Sequence, residues 1–128
     1  MDQDSLVNDE IGAGARFIEK FNQYAKLQAA FWVKESDTGN WFLYLVSDQI
    51  NDSNFDRAYG EVIRLIRSEP EGCLNPMEIK VAGVDDVVAR AVLKLQQGIP
   101  RTSAKRLRSY HLGDLAVDEV YLYPAITA

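Results

Sequence analysis

Six consecutive large apolar residues, Trp41-Phe42-Leu43-Tyr44-Leu45-Val46, constrain the fold of this chain more than any other stretch. Aromatic and β-branched side chains suit a pleated surface, and the run is too short to cross a bilayer. Turn-forming residues bound it on both sides, so it reads as a strand buried on both faces. Upstream lies a second apolar run, Ala29-Ala30-Phe31-Trp32-Val33, joined to the first by Ser36-Asp37-Thr38-Gly39-Asn40. Such a join predicts a β-hairpin, with Gly39 supplying a positive φ.

The flanking sequence supplies cover for that hairpin. From about Glu10, Ile11, Ala15, Ile18, Phe21 and Ala25 recur at helical spacing. Phe55, Ala58, Tyr59, Val62, Leu65 and Ile66 mark a second helix, with Ser53 and Asp56 placed like a capping box. Met77-Glu78-Ile79-Lys80-Val81 alternates as a half-buried strand does. A third helix follows from Asp85 or Asp86, with Val84, Val87, Val88, Ala91, Val92 and Leu95 inward. Residues 99–118 form a basic loop with a short strand near Leu107–Leu112, and Glu119–Tyr123 is the last strand. The expected fold is α+β, in the order α-β-β-α-β-α-(β)-β, with a mixed four- to five-stranded sheet and three helices. Residues 1–8 read as a disordered tail and 9–128 as one domain. Helices at 55–67 and 85–97 are each long enough to cross over between parallel strands. Two such crossovers on one side leave the other sheet face partly bare.

Composition removes several function classes. A net charge of −5 over 128 residues argues against wholesale binding to nucleic acid or membrane surfaces. A single cysteine, Cys73, allows no intrachain disulfide, and with no apolar N-terminal segment a cytoplasmic setting is expected. Gly12-Ala13-Gly14 lacks the third glycine of a dinucleotide fingerprint, and no phosphate-loop pattern occurs. The one histidine excludes His-rich metal sites, and neither a metal centre nor a cofactor is expected.

Four local patterns carry chemistry. Asp48, Asn51, Asp52, Asn54 and Asp56 place oxygens densely enough for Mg²⁺ or Ca²⁺. Their spacing fits no calcium loop, and their position before a helix reads as capping. Glu78-Ile79-Lys80 resembles the E-x-K half-motif of the PD-(D/E)xK nucleases, in which strand-borne carboxylates hold Mg²⁺ beside a lysine. The resemblance implies Asp48 as the missing acid, although here a helix separates the two acidic strands where that family has a hairpin. The plainer reading is a solvent-facing ion pair. Arg101, Lys105, Arg106 and Arg108, with neighbouring hydroxyls, suit phosphate oxygens, and His111 with Asp114 suits acid–base work. The plainer reading there is a solvated loop. Finally, Trp32, Trp41, Tyr44, Tyr121 and Tyr123 exceed what one thin sheet needs, which suits either core or a protein interface.

No residue is placed well enough by these patterns to be named catalytic. The best expectation is a small binding protein that self-associates or joins a larger assembly, as a two-fold homodimer burying Tyr121 or Tyr123. The alternatives are a metal-dependent nuclease using Asp48, Glu78 and Lys80, and a phosphate or nucleic-acid binder working through residues 101–111.

Overall fold

The turn formers between the two apolar runs close a hairpin. Strands β1 (Ala29–Glu35) and β2 (Trp41–Val46) pair antiparallel, and Gly39 has φ 70°. The computed structural model describes residues 8–68, 74–97, 104–113 and 115–124. Most of the expected tail therefore lies outside the described residues, and the first helix, α1 (Asn8–Tyr24), already includes Asn8. After the hairpin come α2 (Phe55–Arg67), a 3-10 turn (Pro76–Glu78), β3 (Ile79–Ala82) and α3 (Val87–Gln96). A second hairpin of β4 (Lys105–Leu112) and β5 (Leu115–Leu122) completes the chain.

The sheet is mixed, with strand order β3-β2-β1-β5-β4. As expected, β2 has a hairpin partner on one side and a parallel neighbour, β3, on the other. The second crossover differs from expectation. Strands β3 and β4 stand at opposite edges and run in opposite directions, so α3 carries the chain across the sheet. The helices also take both faces. Helices α1 and α2 cover Trp32, Leu43, Leu45 and Ile79, while α3 covers Phe31, Val33, Val46 and Leu122. Strands apolar on both sides demand this, because a bare face would leave Phe31 and Val33 in water.

Local detail corrects other expectations. Within α1, Ala15 faces solvent, while Ala13, Phe17, Ile18 and Phe21 are buried. Gly14 is there for close approach: a Cβ at that position would collide with the Tyr123 hydroxyl beneath it. The capping box before α2 does not form, since Asn54 is the N-cap and Ser53 Oγ donates to Asn51 Oδ1 at 2.5 Å. At α3 the cap is as expected, with Asp86 Oδ2 accepting from the Ala89 N–H at 3.0 Å, but Val87 is exposed. No helix among the described residues is long and apolar enough to cross a membrane.

Candidate functional site

Two segments depart from their expected structure, and together they shape a concavity. The first is Met77-Glu78, expected in a strand. Asn75 Oδ1 accepts the Met77 N–H at 2.9 Å and Pro76 presets the first position, so a 3-10 turn forms instead. The hydroxyl of Tyr59 on α2 donates to Pro76 O and fixes that turn against the helix. The turn leaves Met77 78% exposed. The second is Phe55, expected inward. As the first residue of α2 it overhangs the sheet edge, 43% exposed and stacked on Tyr59 with ring centroids 6.3 Å apart.

Between them runs the outer edge of β3, the last strand on that side among the described residues. Ala82 O accepts from Ser47 N at 3.0 Å, so the backbone groups of Ala82 face β2. Successive residues of a strand turn these groups to opposite sides, which directs the N–H and C=O of Val81 toward the open edge. A groove of about 390 Å³ follows this edge, walled by Phe55, Tyr59 and Met77 and floored by Ile79, Val81 and Ala82, with Tyr44, Lys80 and Asp86 also in its lining. It continues into a cleft of about 500 Å³ past the ends of β2 and β3. Asp48, Asp52, Asp85 and Asp86 line that cleft, and no lysine or arginine does. Asn51 and Asn54 build its rim: the Asn51 N–H donates to Asn54 Oδ1 at 2.8 Å, and Asn54 Nδ2 donates to Gln49 O at 2.7 Å.

The nuclease-like trio does not converge. Glu78 precedes the level of Leu43 and Asp48 follows the level of Val46, so the whole β3 ladder separates them. That is about 10 Å at 3.3 Å per residue, whereas ligands of one Mg²⁺ sit within about 2 Å of it. Lys80 belongs to the α3 face. Its Nζ lies 3.4 Å from Glu35 Oε2 and 4.4 Å from the centroid of the Phe42 ring. Glu78 instead lies in the field of Glu10 on α1, and burial, then that charge, raise its carboxyl above the usual range. No group of three metal-binding side chains occurs among the described residues.

The short strand expected near Leu107–Leu112 is longer and begins within the basic segment, as β4 from Lys105. Arg101 lies outside the described residues, and Lys105 begins β4. Arg106 pairs with Glu119 and lies 5.1 Å from the Tyr121 ring centroid. Arg108 is exposed, and His111 is exposed level with Ala116, while Asp114 lies outside the described residues. Arg108 and His111 lie exposed on the β4 edge of the sheet.

The interface aromatics are largely core. Trp32 is fully buried and donates Nε1–H to Tyr123 Oη at 2.9 Å. Tyr123, also buried, donates to Ile11 O at 2.8 Å, which ties β5 to α1. Tyr44 stacks on Phe31 at 5.1 Å, and burial with the nearby Glu35 and Asp86 charges pushes its phenol up to about 12. Tyr121 is half-buried, edge-on to Tyr123. Tyr123 is thus held within the core by hydrogen bonds on both sides. The residues that sequence reasoning missed are Met77 and Phe55. Their signals were present: Asn75-Pro76 is a turn opener, and a residue at the first helical position need not face the core.

Comparison with protein-family models, curated proteins and solved structures gives no match to this chain.

Proposed function

We propose that the protein works by binding, taking an extended segment of a protein partner on the outer edge of β3. The observation that carries this reading is the exposure of Met77 and Phe55 beside a strand edge whose backbone groups are directed outward. Large apolar side chains left in water next to unpaired backbone are what strand addition uses: the backbone supplies affinity and the flanking pockets supply selectivity. Fully burying Met77 alone is worth about 1.5–3 kcal/mol. The dispersal of Asp48, Glu78 and Lys80 favours binding over catalysis, and the single thiol suits a reducing compartment.

The test is selection of random ten-residue peptides displayed on phage against the purified protein. Retained peptides should lose binding when Phe55 and Met77 are both changed to Ser, and should shift the amide resonances of Ile79–Gly83. Equal retention by the parent and the double variant overturns the reading.

A further inference from the structure

Resting on that reading, we infer that the partner segment carries a lysine or arginine at the end of its bound stretch, beside Ala82 and Gly83. The groove along β3 is lined mainly by apolar and aromatic side chains, and its one cation, Lys80, leans toward Glu35 and the Phe42 ring. The cleft it enters holds Asp48, Asp52, Asp85 and Asp86, with no lysine or arginine in its lining. Asp86 is committed to capping α3. Asp48, Asp52 and Asp85 are exposed, and the ion pairs made by Glu35, Glu61 and Glu119 lie elsewhere. The first residue of α2 and the N-cap of α3 adjoin this cleft, and helix N-termini favour anions. Each such terminus is worth about half a positive charge, so two of them offset only about one of the four carboxylates. An anionic ligand is therefore repelled. A divalent metal lacks its ligand set among the described residues. What fits is a long side chain with a cationic head, reaching from a bound strand into a negative cleft whose low-dielectric wall includes Phe55 and Val84. The partner is thus a segment of alternating apolar side chains ending in a base. The chain's own β4 also carries bases, but it is engaged in its own hairpin with β5.

The experiment uses capped eight-residue peptides of alternating Val and Thr, ending in Lys, Gln or Glu. Affinity is read by fluorescence anisotropy at low and high salt. The Lys peptide should bind about tenfold tighter than the Gln peptide at low salt, with the Glu peptide weakest and the gaps closing as salt rises. Asp48→Asn with Asp85→Asn should remove the preference, with an unchanged denaturant midpoint showing that the variant is folded. Equal binding of the Lys and Gln peptides overturns the charge inference and leaves the β3 edge as the docking site. Binding by none of them, with no peptide retained in the display selection, overturns both. A light-scattering mass that doubles with concentration, and returns to monomer on Met77→Glu, assigns the edge to a second copy and also overturns the inference.

Discussion

The two edges of this sheet are built on opposite plans. Strand β4 is eight residues long and carries Lys105, Arg106, Arg108 and His111. Strand β3 is four residues long, and its one cation, Lys80, leans over the Phe42 ring toward Glu35. A long free edge is a template for unwanted pairing, and bases along it are the common guard. A short edge needs less guarding, because few backbone bonds are on offer. That difference explains why exposed apolar residues sit beside β3. On β4 such residues would recruit any extended chain, whereas on β3 they add affinity only for a segment that also fits the groove.

The comparison is broken most directly through the core behind each edge. Leu43 in β2 is fully buried and level with Ile79 of β3, so Leu43→Ala should cost about 2–5 kcal/mol in a denaturant titration. Leu107 in β4 is only partly buried, and Leu107→Ala should cost under about 2 kcal/mol for that reason. A larger loss at Leu107 would mean that β4, not β3, is the firmly held edge.

Removing the guard gives the next effect. Arg106 and Arg108 replaced together by Thr should change stability by less than about 1 kcal/mol, since the Arg106–Glu119 pair is partly exposed. The variant should nevertheless associate as concentration rises, seen as growing mass in light scattering. A variant that stays monomeric would show that charge is not what protects β4.

How much of this was legible in the sequence depends on the range of the force responsible. The hairpin, the first crossover and the Asp86 cap were readable because turn chemistry and apolar periodicity act locally. The path of α3 was not, because it is decided by which sheet face still needs cover, a property of the whole fold. The aromatic surplus was readable as core or interface but not as one of them. Trp32 and Tyr123 are 91 residues apart and meet through one hydrogen bond that no local pattern announces. The E-x-K pattern failed for a local reason: Asn75-Pro76 bends Glu78 out of the strand that the motif requires. Met77 became exposed through the same bend, so one misread turn both hid the exposed residue beside β3 and suggested the nuclease.

The smallest effect sharpens the contrast at the start of β3. Burial first, and the negative charge of Glu10 second, hold the Glu78 carboxyl above its ordinary value of 4.5. The folded chain therefore keeps this proton at a pH where the unfolded chain has released it. That contribution to stability is complete below 4.5 and is lost as pH rises through the higher folded value. At neutral pH, where the unfolded chain has released this proton, Glu78 is therefore a net penalty to the fold. Glu78→Gln should then be more stable than the parent at neutral pH, with the gap shrinking on acidification and closing below 4.5. Glu10→Gln should recover a smaller part of the same gap, because the Glu10 charge is the lesser cause. Urea midpoints for the three proteins from acid to neutral pH decide the matter. A gap that stays constant across that range would assign the effect to packing and remove ionisation of Glu78 from the account.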